Sequence, residues 1–194
     1  LIRALSMPPK FGVVSKAYTS KPKAGSSSTA TLCMYVLSTD INGYLTTAST
    51  GVKNNLKTYL NQHRVIGDSL EIKDAYVINI QVDFEIITLP NYNSNEVLTQ
   101  CNQNVQQFFN INDWQINQPI IIKNLELILN QVPGVQTVKK VLITNVAGTT
   151  SGYSKYGYDV VGATQNGTVY PSLDPNIFEV KYPDTDITGR VVNI

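Results

Sequence analysis

Histidine is almost missing from this chain: His63 is the only one among 194 residues. A Ser-His-Asp or Cys-His relay would have to run through it, yet it closes an amphipathic pattern and has none of the motifs that accompany a nucleophile. It reads as the last residue of a helix, favoured there by the helix dipole. Cysteine is equally scarce. Cys33 and Cys101 both sit in apolar patterns, at residues 32–36 and 97–109, and read as small core hydrophobes. One histidine and two separated cysteines do not make a zinc set. Two cysteines do not make a secreted disulfide scaffold either, so a reducing cytoplasm is the expected setting. Charged residues are 15% of the chain, against roughly 25% in ordinary soluble domains. No apolar run approaches the ~20 residues needed to cross a bilayer. A net charge of +1 argues against a general nucleic-acid coat.

The charge that is present is unevenly placed. Residues 1–30 carry Arg3, Lys10, Lys16, Lys21 and Lys23 and no acid, while the remainder is mildly acidic. Opposite-signed segments can meet within one chain or between neighbours. The first residue is Leu1, and residues 1–5 lack the layout of a signal peptide, so the chain is expected to be a piece of a longer polypeptide.

Periodicity organises the middle of the chain. Ile78, Ile80, Val82, Phe84 and Ile86 alternate with Asn79, Gln81, Asp83 and Glu85, predicting a strand over 77–89 with one wet face. Asn93 or Ser94 then caps a helix with Glu96 in its first turn and Val97, Cys101, Val105 and Phe108 along one stripe. A helix over 50–63 is read from Val52, Leu56, Tyr59 and Leu60. A shorter one from Lys123 or Asn124 turns Leu125, Ile128, Leu129 and Val132 inward and stops at Pro133-Gly134. Strands are expected at 31–38, before a turn at Asn42-Gly43, and at 70–73 and 135–146. In order these elements spell the split βαβ pattern, so the predicted class is α+β, a ferredoxin-like domain over 31–146. Before it, residues 1–30 supply an extended strand at 11–18 and a link at 20–29 too polar to order itself. After it, residues 147–194 form an irregular arm with a hairpin, in which segments 158–162 and 168–170 flank Asn166-Gly167. Five of the eleven tyrosines lie in this arm, and with no core of its own it needs something to lean on.

Other chemical signals are weak. The loop at 148–152 is not followed by Gly-Lys-Ser or Gly-Lys-Thr and so cradles no phosphate. Asp184 and Asp186, with Asp174 near them in sequence, resemble a fragment of an acidic metal site but are read as turn-shaping residues that bond to the backbone. A ferredoxin-like sheet also serves RNA recognition, but Asn79, Gln81, Asp83 and Glu85 offer bases no stacking platform and repel phosphate. No catalytic residue, metal, cofactor, small-molecule substrate, nucleic acid or membrane is therefore expected.

Both ends of the chain resemble a known family. The segments are Pro8-Pro9-Lys10-Phe11-Gly12-Val13-Val14-Ser15-Lys16-Ala17-Tyr18, then Tyr170-Pro171-Ser172-Leu173-Asp174-Pro175, Phe178-Glu179-Val180-Lys181-Tyr182-Pro183 and Asp186-Ile187-Thr188-Gly189-Arg190-Val191-Val192. They look like the carboxy-terminal part of baseplate wedge proteins of T-even-type contractile-tailed bacteriophages, a family related to the baseplate J-like group. The Val132-Pro133-Gly134-Val135 element between a helix and a strand is similar to the J-like pattern. The resemblance implies a non-enzymatic subunit of the virion, placed in the tail baseplate and assembled in the host cytoplasm. Such a subunit would dimerise, join other wedge proteins and enter a ring around the hub that rearranges on sheath contraction. It carries no active-site residues. Subunit contacts are expected from Phe11, Val13, Lys16 and Tyr18 at one end, and from Tyr153, Tyr156, Tyr158, Tyr170, Phe178, Tyr182 and Arg190 at the other. Two alternatives stay open: a small ferredoxin-like hydrolase grouping His63 with Asp174 or Asp186, and an adaptor for a single protein partner.

Overall fold

The described residues form three sheets, two of four strands and one of three, where the sequence predicts a single one. The computed structural model describes residues 1–20, 31–62 and 69–192. It divides into one unit of Leu1–Tyr76 with Asp174–Asn176 and a second of Val77–Leu173 with Ile177–Ile194. The boundary falls inside the 31–146 body read from the sequence. His63, the turn after it and residues 21–29 of the expected link lie outside the described residues, while Ser20, also expected in that link, ends a strand.

The first unit contains α1 (Ile2–Leu5), β1 (Lys16–Ser20), β2 (Thr31–Thr39), β3 (Leu45–Thr46), α2 (Thr50–Asn61) and β4 (Ser69–Asp74). Ser49 caps α2, its Oγ accepting from the Val52 amide. Asp40 shapes the turn after β2, its Oδ1 accepting from the Asn42 and Tyr44 amides, and Gly43 supplies the positive φ of 86°. Met34, Val36, Leu56 and Leu70 are buried with Ala4, Met7 and Val14 in the core of this unit. The expected strand at 11–18 is shorter. Pro9–Phe11 is a 3-10 turn and only Lys16–Ser20 pairs with β2. Pro8-Pro9 sets the turn, and Gly12, at φ 112°, passes so close to α2 that a Cβ there would lie 2.4 Å from Val52 Cγ2.

The second unit contains β5 (Tyr76–Thr88), α3 (Ser94–Phe108), β6 (Ile120–Ile121), α4 (Ile122–Asn130) and β7 (Val135–Asn145). It continues with β8 (Thr164–Gln165), β9 (Thr168–Val169), β10 (Asn176–Glu179), α5 (Pro183–Asp186) and β11 (Ile187–Val191). Asn93 caps α3 through the Asn95 amide at 3.1 Å. Val97, Cys101 and Val105 face inward as the stripe predicted. Burial raises the Cys101 thiol to about 11, so it stays protonated and inert near neutrality.

The class is α+β, but strand pairing departs from the split pattern. A split unit needs a strand between β2 and β4, and these two are direct parallel neighbours joined through α2. The strand expected to intervene, β5, pairs antiparallel with β7, parallel with β11, and also with β10. The carboxy-terminal arm is thus no loose appendage. Its strands β10 and β11 complete the β5 sheet, and Ile177, Phe178, Val180 and Ile187 are buried. The hairpin turn forms at Asn166-Gly167, both at positive φ (50° and 74°), but its first strand is Thr164–Gln165. The segment at 158–162 is a turn instead, with Asp159 Oδ1 accepting from the Gly162 amide.

After α4 the chain reverses at Gly134, φ 94°, whose carbonyl accepts from the Leu89 amide at 2.9 Å. A Cβ there would fall 2.6 Å from the Tyr92 ring and 2.7 Å from Val97. Gly134→Ala is therefore expected to lower stability by about 1–3 kcal/mol, combining left-handed strain with overpacking. A denaturant titration followed through the single tryptophan checks this. Trp114 is buried against Phe108 and Phe109, with ring centroids 5.5 and 5.4 Å away, and so reports on this unit.

Candidate functional site

The best-built polar cluster in the described residues lies on β5, where alternation alone predicts a wet face. Asn79 is only 1% exposed. Its Nδ2 donates to Glu179 Oε2 (2.8 Å), and its Oδ1 accepts from the Ser154 amide (2.6 Å). Its carbonyl accepts from Asn145 Nδ2 (2.8 Å) and from the Val146 amide (3.0 Å). Asn145 Oδ1 in turn accepts from the Tyr158 amide at 2.9 Å. A buried amide with good partners adds rigidity, whereas the same amide without them costs about 1–3 kcal/mol.

Two residues further along β5, Gln81 reaches the second buried carboxylate, Asp186. Asp186 Oδ1 accepts from Tyr153 OH (2.6 Å) and, at 3.5 Å, from Gln81 Nε2; Oδ2 accepts from the Tyr182 amide at 2.9 Å. This last bond is the backbone-directed, turn-shaping role expected of the Asp184–Asp186 stretch. The rings of Tyr153 and Tyr182 meet edge to face at 5.3 Å. Lys181 Nζ donates to the Gly152 carbonyl, and the Gly148 amide donates to the Ser154 carbonyl. The segment at 148–158 is thereby fastened to β5 and to the start of β11.

Burial, and then donation to Asp186, push the Tyr153 hydroxyl up to about 12. Because the folded state holds this proton more tightly than the unfolded chain, the resulting stabilisation is complete below the ordinary tyrosine value near 10. It is lost as pH rises from there toward about 12. The unfolding midpoint of the native protein should fall across that window, and Tyr153→Phe should flatten the fall. Denaturant titrations at several alkaline pH values measure it.

The residues expected at subunit contacts divide by exposure. Phe11 and Val13 are exposed, as are Tyr170 and Arg190, whose Nε is 4.0 Å from Glu85 Oε1. Tyr18 and Tyr156 are half-buried. The others serve the chain's own packing. Lys16 is 7% exposed and Phe178 only 1%. Tyr158 packs on Phe178 at 5.7 Å and donates to the Tyr170 carbonyl, and Tyr153 and Tyr182 belong to the Asp186 cluster. Sequence reading missed Asn79, Asn145 and Glu179 as a unit. Nothing local marks them, since their partners are 66 and 100 residues apart.

In the first unit, a cleft of ≈490 Å³ is lined by Tyr35, Lys53, Ile72, Lys73, Asp74, Tyr76 and Asp174. Lys53 Nζ pairs with Asp74 Oδ2 at 2.7 Å, and Lys73 pairs with Glu71 at 3.1 Å. Burial raises the Tyr35 hydroxyl above its ordinary value. Cations and carboxylates largely offset one another here, an arrangement suited to holding strands together. For the hydrolase alternative, His63 is outside the described residues. Asp186, 1% exposed and accepting three hydrogen bonds, has no face to offer a substrate.

No family model matches the chain, and no curated protein matches it. Among solved structures, it is similar to a chain in the cryo-electron-microscopy structure of the anti-feeding prophage baseplate, 6-fold symmetrised. The TM-score is 0.49 and the identity 11%. The similarity covers 98% of this chain and 35% of that one, so this chain spans about a third of the length of its structural neighbour.

Proposed function

We propose that this chain is a non-catalytic structural subunit of a contractile-tail baseplate, one that joins its neighbours into wedges and a ring around the hub. The observation that carries an assembly role is in the first unit. Leu1, Ile2, Leu5, Phe11 and Val13, all large and apolar, are exposed within the first thirteen residues. Apolar side chains scattered singly over a surface are ordinary, whereas a run of them on a short helix and the turn after it invites a partner. The stretch overlaps Pro8 to Tyr18, which resembles the wedge family. Tyr170 and Arg190, exposed on the second unit, lie in the other segments of resemblance. In this reading Phe11, Val13, Tyr170 and Arg190 face neighbouring subunits, and the half-buried Tyr18 and Tyr156 add to the contacts of their own units. Lys16, Tyr153, Tyr158, Phe178 and Tyr182 hold the units that present those residues.

The test is solution mass by light scattering, for the complete protein alone and mixed with the products of neighbouring genes. A dimer that grows into wedges or rings is expected. The double variant Phe11→Ser, Val13→Ser should lower that mass while leaving the Trp114 unfolding transition in place. A monomer indifferent to those partners would overturn the reading. Deleting residues 150–194 is a poor substitute, since it removes β10 and β11 from the sheet and destroys the second unit along with any interface.

A further inference from the structure

The open side of β7 is a feature of the second unit that its own fold leaves unused; β10 and β11 likewise pair with β5 alone among the described residues. Among the described residues this strand hydrogen-bonds to β5 alone. Its two halves differ. Between Val135 and Lys140 the register against β5 slips twice. Glu85 faces Lys140 but Ile86 faces Val138, and Ile87 faces Thr137 but Thr88 faces Val135, so Lys139 and Gln136 are extra residues. Bulges of this kind twist an edge away from further pairing, and lysine guards it again. From Val141 to Asn145 there is no slip, and the pairing with Phe84 back to Ile80 is one to one.

The phase of the ladder identifies which backbone groups are open. The Val146 amide donates to the Asn79 carbonyl at 3.0 Å. In an antiparallel pair alternate residues face the partner, so Thr144, Leu142 and Lys140 turn their backbone groups to β5. The N–H and C=O of Val141, Ile143 and Asn145 therefore point to the free side. The side chains around this edge indicate its occupant. Lys139 and Lys140 are exposed and make no ion pair among the described residues, Leu142 is exposed, and β7 contains no acidic residue. A second copy pairing through the same edge would double the lysines and bring no carboxylate to meet them.

We infer that the edge of β7 from Val141 to Asn145 receives an extended, acidic segment of a different polypeptide, which adds to the β5 sheet as a further strand. Main-chain hydrogen bonds supply the affinity. Carboxylates just beyond the paired stretch, within reach of Lys139 and Lys140, set direction, and a branched apolar residue covers Leu142. This deepens the assembly reading by giving the second unit a partner of defined chemistry. It is measured on this chain alone, so its failure would leave the assembly reading standing.

The experiment uses the isotopically labelled full chain and two short acetylated peptides, one alternating valine with glutamate and one alternating valine with lysine. The glutamate peptide is expected to slow amide exchange at Val141 and Ile143 and to bind several-fold more weakly as salt is raised, while the lysine peptide does neither. Lys139→Glu combined with Lys140→Glu should reverse the preference. Val141→Pro, which removes an outward N–H and no inward one, should abolish binding with the Trp114 signal unchanged. Equal binding of both peptides, no protection at Val141 and Ile143, or self-association of the chain through this edge would each overturn the inference.

Discussion

Gly189→Val is expected to abolish the cooperative unfolding transition of the second unit, and Gly189→Ala to weaken it by about 1–3 kcal/mol. Gly189 lies in β11 directly opposite Phe84 of β5. A Cβ at this position would stand 2.4 Å from Phe84 Cζ and 2.7 Å from Leu98 Cδ1, so the bare glycine is what lets α3 pack across β11. Phe84 is 1% exposed, and its ring has no open space to swing into. The backbone at Gly189 does not require a positive φ, so the cost is one of volume. That yields a diagnostic double variant. Phe84→Leu destabilises alone, yet combined with Gly189→Ala it should cost less than the sum of the two, because the shorter side chain vacates the space the new methyl needs. Strict additivity in denaturant titrations followed by Trp114 fluorescence would show that the glycine does not act through this contact.

Asp186→Ala should be the most damaging polar substitution. It strips acceptors from the half-buried Tyr153 hydroxyl, Tyr182 amide and Gln81 side chain together, around a carboxylate that is itself 1% exposed. Leaving a buried donor unmatched costs about 1–3 kcal/mol, and since these donors are only half-buried a total loss of about 1–3 kcal/mol is expected. Asp186→Asn keeps one oxygen for Tyr153 and should recover roughly half. The readouts are the unfolding midpoint and the alkaline titration of tyrosine absorbance. With Asp186 replaced by alanine, the hydroxyl that now stands near 12 should titrate closer to an ordinary tyrosine. A variant that unfolds at the native midpoint would mean that the cluster does not hold the 148–158 segment.

These two sites show where sequence reading succeeds and where it stops. The helices at 94–108 and 122–130, the strand at 76–88 and the turns at Asn42-Gly43 and Asn166-Gly167 were legible because each is encoded within a few residues: apolar spacing, a capping side chain, or a pair able to take positive φ. Asn79 was misplaced for the same reason. Alternation puts it on the polar face of β5, and only residues 66 to 100 positions away turn that face into a buried one. The tyrosines of the last third were recognised as needing something to lean on. What Tyr153, Tyr158 and Tyr182 lean on is their own unit. The exposed Phe11, Val13, Tyr170 and Arg190 share the same sequence signature, and exposure alone tells them apart.

By itself, then, the sequence determined the α+β class, most element positions, a stretch at 1–30 with no acid and a scarcity of histidine and cysteine. Tertiary structure decided the rest: that β2 and β4 pair directly, that β10 and β11 join the β5 sheet, and that among the described residues β7 pairs with β5 alone. The physical reason is that hydrophobic periodicity states which face of a strand is buried but not which strand lies beside it. Pairing is a competition among distant segments for the same hydrogen-bonding edge, and it is settled only when the whole chain packs.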